Sequence, residues 1–326
     1  MKPGKRYELA GRVAATLLAL SAHGAIAQDY PARDIRSLCN YAAGSGADVI
    51  VRFYSDRLSK LLGVPVLVEN KPGANGAIAT DALAKSKPDG YTILITPVSS
   101  TIVAAPYLFK NLPFDSTRDF AAVTTLASLS FVILADAAKP VANVAELVAH
   151  LKAKPNNGFY GTTNNTGVIA AELFKQAAGL KTTYVPYKLN TQALTDLLLG
   201  QLDFITFDAT WALGQAKGGR VRILAATSAK RSSALPDVPT LSELGYGSND
   251  VAPWWGVVVP AGTPRPVVEK LAGLFNQITS AEDTKKFLAG AAFDPLPGTP
   301  DQMQALMKSD AERWRRYTAL AKIQPQ

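Results

Sequence analysis

Residues 40–48, Asn-Tyr-Ala-Ala-Gly-Ser-Gly-Ala-Asp, have the composition of a loop that can hold an anion. Before them comes a short apolar run, 35–39. After them Ile50, Phe53, Tyr54, Leu58, Leu61 and Leu62 recur at three- and four-residue steps, which is one face of a helix. Small residues at Ala42, Gly44, Ser45, Gly46 and Ala47, beside Tyr41, let the unpaired N–H groups of a helix start approach a ligand, and such groups favour negative charge. Asp48 has two readings. Ser45-Gly-Ala-Asp48 has the spacing of a capping box, in which the carboxylate answers the helix's own free N–H groups, and the alternative is direct contact with the ligand.

Four more loops repeat this chemistry at expected strand-to-helix junctions: 70–76, 96–101, 161–167 and 187–191. Their candidate ligand contacts are Asn75, Thr96, Ser99, Ser100, Gly161, Thr162, Asn164, Asn165, Thr166, Tyr187 and Asn190, with Asn70, Thr101, Thr163 and Thr191 as further neutral donors. Asp208, at the head of an expected helix 209–217, joins the set. Any one of these residues is equally well a turn or cap residue, so the signal is their recurrence in both halves of the chain. No Arg sits in any of the five loops. Two helix starts facing one cleft would grip a carboxylate through N–H groups, at roughly 1.5–3 kcal/mol per charge-assisted hydrogen bond.

Catalytic chemistry finds little support. The chain has only two histidines, His23 and His150, and one cysteine, Cys39. A Ser-His or Cys-His system needs a base set against the nucleophile, and Gly44-Ser-Gly46 lacks the spacing of a nucleophile elbow. One histidine and one thiol in the body of the chain do not make a zinc site, although carboxylate-held Mg²⁺ or Ca²⁺ stays open. After Gly44-Ser-Gly46 the third glycine of a dinucleotide fingerprint is replaced by Val49, and no phosphate-loop Lys-Ser/Thr follows. The reading is a binding protein rather than an enzyme, without cofactor or metal.

The elements that position these loops alternate. Strands are expected at 35–39, 64–69 and 91–96 with helices 47–62 and 76–86 between them, and the alternation restarts with helix 143–153, strand 158–162, helix 167–178, strand 182–186, helix 191–199, strand 202–207, helix 209–217 and strand 221–227. The β-rich run 121–135 reads as a crossing strand between two lobes, and 254–259 as the return. Thr263-Pro264 reads as an N-cap with Pro at the first helical position. Thr299-Pro-Asp-Gln302 reads as a capping box opening a final helix through Trp314. The expected fold is α/β and two-lobed, each lobe a doubly wound, mainly parallel sheet with flanking helices and a ligand cleft between them.

At the N-terminus, Lys2, Lys5, Arg6 and Arg12 precede the apolar run 13–20, and Ala25-Ile-Ala27 supplies small residues before a cleavage point. Residues 1–27 therefore read as a secretory signal, leaving 28–125 and 251–326 as lobe 1 and 126–250 as lobe 2. Its loss lowers the formal charge from +8 to about +5. The basic residues are scattered rather than arrayed in a stripe, which argues against nucleic acid.

The ordered motifs Val68-Glu-Asn-Lys-Pro-Gly-Ala-Asn-Gly76, Pro88-Asp-Gly-Tyr91, Val185-Pro-Tyr-Lys188, Ala193-Leu-Thr-Asp196, Leu235-Pro-Asp-Val-Pro239 and Pro260-Ala-Gly-Thr-Pro264 resemble the Bug family of periplasmic solute receptors. The resemblance runs from about residue 29 to the C-terminus. It implies a type II-like, Venus-flytrap periplasmic binding protein that closes on a small carboxylate, whether di- or tricarboxylate, amino acid or aromatic acid. Such a receptor presents its ligand to the large and small integral-membrane permease subunits of a tripartite tricarboxylate transporter, and here it is expected to act as a monomer. The family's carboxylate-gripping loops map onto 41–48 and 161–167. Three departures stand out: 161–167 is about two residues shorter than the family's form and lacks the histidine common early in its helix, Leu189 replaces the glycine that usually follows Val-Pro-Tyr-Lys188, and Ala42-Ala43 replaces the usual Pro-rich entry. A same-fold sensor acting on a membrane kinase is the alternative role.

Overall fold

The computed structural model describes residues 30–154, 157–247 and 250–325. The expected signal segment lies outside them. In chain order the elements of the first half are β1 (Ile35–Cys39), α1 (Gly46–Leu62), β2 (Val66–Asn70), α2 (Ala77–Ala84), β3 (Thr92–Thr96), α3 (Ala105–Leu108), β4 (Phe120–Leu129), β5 (Phe131–Asp136) and α4 (Val144–Ala153). There follow β6 (Phe159–Thr162), α5 (Asn165–Ala178), β7 (Thr183–Pro186), α6 (Asn190–Leu198), β8 (Phe204–Asp208), α7 (Ala209–Lys217), β9 (Val221–Ala226), β10 (Trp254–Pro260), α8 (Arg265–Ser280), α9 (Glu282–Gly290), β11 (Phe293–Pro295) and α10 (Pro300–Leu320).

Two sheets result, ordered β11-β4-β10-β3-β1-β2 and β7-β6-β8-β5-β9. The two-lobed α/β architecture is as the sequence pattern suggests. Each sheet is mixed, however. It is parallel through β3-β1-β2 and β7-β6-β8, where helices make the crossovers, and antiparallel where β4, β5, β9, β10 and β11 enter. Chain that passes back and forth between lobes needs no crossover helix and can pair antiparallel.

Both faces of each sheet are covered, so the strands are apolar at successive positions. Leu94 and Val258 face a core shared with α2 and α10, while Ile93, Ile95, Val257 and Val259 face one shared with α1 and α8. In the second sheet Ile133, Tyr160 and Phe204 pack toward α4 and α5, and Val132, Leu134, Ile205 and Phe207 toward α6 and α7. Each such side chain contributes about 1.5–3 kcal/mol on burial.

The run 121–135 is two strands in different sheets rather than one. The break falls at Ser130, whose carbonyl accepts from Ala209 N at 2.9 Å and whose Oγ donates to Ser228 Oγ at 2.8 Å, taking the backbone out of the ladder. The start of α8 also differs by one residue: Pro264 is the N-cap, and the Thr263 hydroxyl instead donates to Pro260 O at 2.7 Å. The capping box at Thr299 and Gln302 is present, but α10 continues past Trp314 to Leu320. That extra length carries Tyr317 and Thr318 into burial. Besides packing on the first sheet, α10 reaches α5 of the second lobe, so its core cluster includes Ile169, Ala170 and Leu173.

Candidate functional site

A cleft of about 1040 Å³ opens between the lobes, with walls from both. On the first lobe Tyr41, Gly46 and Ala47 line it, together with Asn75 and Ser100. Ala42, Gly44, Ser45 and Asp48 do not; they build the turn behind the wall. Ser45 is the N-cap of α1, its side chain accepting from Asp48 N at 3.2 Å. The Asp48 carboxylate is buried and accepts from Gly44 N at 2.8 Å, Arg52 Nε at 2.8 Å and Asn70 Nδ2 at 2.7 Å. Burial works against its ionisation, but the hydrogen bonds from Arg52, Asn70 and the Gly44 N–H prevail and bring its pKa down to about 2. The first turn of α1 therefore already holds an anion of the protein's own.

Nearby, Gly73, Ala74, Asn75 and Gly76 form a tight turn into α2, with Asn75 in the left-handed region at φ 51°. At Gly76, φ 93°, a Cβ would lie 2.7 Å from Thr101 Cγ2 and 2.8 Å from Asn40 Nδ2, so only glycine lets this turn approach the wall. Thr96 and Ser99 are set back. The Thr96 hydroxyl donates to Asn40 Oδ1 at 3.0 Å, and that of Ser99 to Asp310 Oδ2 at 2.6 Å.

On the second lobe the lining comes from Thr163, Asn164, Asn165 and Thr166, with Asp208 and Thr210 beside them. Asn164 caps α5, its Oδ1 accepting from Gly167 N at 2.9 Å. The N–H groups of Asn165 and Thr166 precede any intrahelical acceptor, and the first turn of α5 has no acidic residue. Gly161, Thr162, Tyr187 and Asn190 support this loop from outside the cleft. Thr162 donates to Thr206 O at 2.8 Å, Tyr187 to Asp196 at 2.6 Å, and Asn190 Oδ1 accepts from Thr163 at 2.8 Å. A Cβ on Gly161 would meet Leu202 at 2.7 Å and Tyr187 at 2.9 Å, so the glycine belongs to packing under the loop. Leu189 is exposed and absent from the lining. Asp208 caps α7, accepting from Trp211 N at 2.9 Å, and desolvation raises its pKa.

The sequence-based set lacks the apolar side of the cleft: Ile50, Phe131, Trp255, Phe293 and Trp314. Trp255 stacks on Tyr41 with centroids 5.9 Å apart and planes 19° apart. Phe131, Trp255 and Phe293 sit in β-runs and Ile50 and Trp314 on helix faces whose patterns mark them as core, and only the way the two sheets are set against each other shows that they face a cavity. Asn40 and Thr101, which also line it, lie within the loops already singled out. Among the described residues the lining contains no Lys, Arg or His, and no three potential ligands come together as a metal site.

This geometry has counterparts. The model of the tripartite tricarboxylate transporter family receptor matches residues 50–322. A Bordetella bronchiseptica protein described as a UPF0065 protein is 34% identical, covering 96% of this chain and 93% of its own. An R. palustris protein solved with adipate superposes with a TM-score of 0.76 at 29% identity, covering 91% of this chain and 100% of that one. The periplasmic binding protein BugD does so with a TM-score of 0.72, also at 29% identity and the same coverage. The chain thus belongs to the tripartite tricarboxylate transporter receptor family, periplasmic solute-binding receptors of the Bug type and not enzymes.

Proposed function

We propose that this chain, exported by a signal in residues 1–27 and then monomeric, binds a small carboxylate between lobe 1 (28–125 and 251–326) and lobe 2 (126–250). It delivers that ligand to the large and small permease subunits of a tripartite tricarboxylate-type transporter. The observation that carries this reading is the start of α5: two backbone N–H groups with no partner inside the helix, no acid in the first turn, and neutral Asn and Thr side chains around them, all on the cleft wall. A few charge-assisted hydrogen bonds at roughly 1.5–3 kcal/mol each reach the about −8 kcal/mol of a micromolar complex. Neutral grips also let water bridge to ligands of different length, and the adipate held by the R. palustris relative fits this chemistry.

Calorimetric titration of the purified protein against mono-, di- and tricarboxylates and amino acids tests the proposal. Saturable binding of at least one member is expected. A panel with no binder would overturn it.

A further inference from the structure

Asp208 is the one charged side chain in the cleft wall among the described residues. It stands at the C-terminal end of β8, opposite Phe131 of β5, while β6 runs parallel on the other side with Gly161 paired to Ile205. The ends of β6 and β8 thus open side by side, one leading into 163–166 and the other into Asp208, with adjacent strands about 4.8 Å apart. Among the described residues no Lys, Arg or His pairs with Asp208, which as the cap of α7 accepts from backbone N–H groups, that of Trp211 at 2.9 Å. A carboxylate in a desolvated wall, one strand away from an anion-accepting helix start, lacks a cation.

We propose that the ligand supplies it: an α-amino acid whose carboxylate sits on the Asn165 and Thr166 N–H groups, whose ammonium meets Asp208, and whose side chain is apolar and of aromatic size. β6 and β8 are neighbouring strands, and the turn after one and Asp208 at the end of the other line the same wall, so one small ligand can meet both. The remaining volume is bounded by Tyr41 and Trp255, stacked 5.9 Å apart, and by Phe131 and Phe293. A side-chain carboxylate would find no cation there, whereas an apolar or aromatic group replaces water against aromatic faces. Asp208 is then the residue that separates amino acids from plain acids, with its helix-capping contact retained.

This inference rests on the carboxylate-receptor reading above, and one experiment separates the two. L-Phenylalanine, phenylpropanoate, which is the same skeleton without the ammonium, and adipate are titrated calorimetrically into the wild-type protein and into Asp208→Asn. Asn caps helices about as well as Asp, so the variant should melt within a few degrees of the wild type. Phenylalanine should bind the wild type at least about tenfold more tightly than either plain acid, and Asp208→Asn should erase that ratio. A wild type that takes phenylpropanoate or adipate as tightly as phenylalanine, or a variant that keeps the preference, overturns the assignment while leaving the carboxylate receptor standing. If none of the three binds, nor any member of the wider carboxylate panel, both readings fall.

Discussion

The two jaws of the cleft are built alike and charged differently. Each is a strand, a turn of small polar residues and a helix start: β1 to α1 in the first lobe, β6 to α5 in the second. Each helix is capped by a side-chain oxygen, Ser45 for α1 and Asn164 for α5. In α1 the first turn contains Asp48, ionised and fixed by Arg52, Asn70 and Gly44 N, so the favourable end of the helix dipole is already occupied. In α5 the first turn has no acidic residue, and it lines the cleft. On the proposed reading, similar loops in sequence are not equivalent in function: the first lobe offers shape and apolar contact, and the second offers the anion grip.

The largest expected effect comes from making the second jaw resemble the first. Thr166→Asp puts an acid in the first turn of α5, where it favours the helix but repels a bound carboxylate; affinity should fall by about 100-fold with melting unchanged or raised. An affinity within a few-fold of wild type would remove the distinction between the jaws. Asn164→Asp is milder, because Asp and Asn cap equally well. It should weaken binding about tenfold in the same titration, since the added charge is partly taken up by the Gly167 N–H that this side chain already accepts from.

On the first jaw, Asp48→Ala should act on stability rather than affinity. Denaturant melts should show a loss of at least about 0.5–2 kcal/mol, the usual range for a lost cap, with ligand affinity within about threefold. A large affinity loss at unchanged stability would make Asp48 a ligand contact. The smallest effect is on pH. The folded-state pKa of Asp48 lies below its ordinary 3.8, at about 2, so its contribution to stability is full above about pH 4 and disappears as pH falls through 2. Acid melts of the wild type should therefore lose an increment between pH 4 and 2 that Asp48→Ala does not lose. Parallel acid melts of the two proteins would contradict this.

Much of the fold is readable from local pattern. The α1 face, the strands 35–39 and 91–96, and the capping box at Thr299 and Gln302 each depend on residues within one element, and each is present within a residue or two. What local pattern misses is set by distant partners. The break at Ser130 depends on Ala209 N and Ser228, almost 80 and 100 residues away. The site divides in the same way. Loop composition marks the donors at 163–166 and at Asn75, but it does not show which hydroxyls turn away from the cleft. Thr96 turns to Asn40, Ser99 to Asp310 and Thr162 to Thr206, and each of these is a tertiary contact. The aromatic wall of Phe131, Trp255 and Phe293 reads as ordinary core because a β-run alternates in the same way whether it faces another layer or a cavity.

The most direct test of the asymmetry is a crystal structure of the protein with a bound carboxylate. We expect a carboxylate oxygen within hydrogen-bonding distance, about 2.7–3.2 Å, of the Asn165 and Thr166 N–H groups. A carboxylate seated on Gly46 and Ala47 of the first lobe, with the start of α5 left uncontacted, would contradict the account.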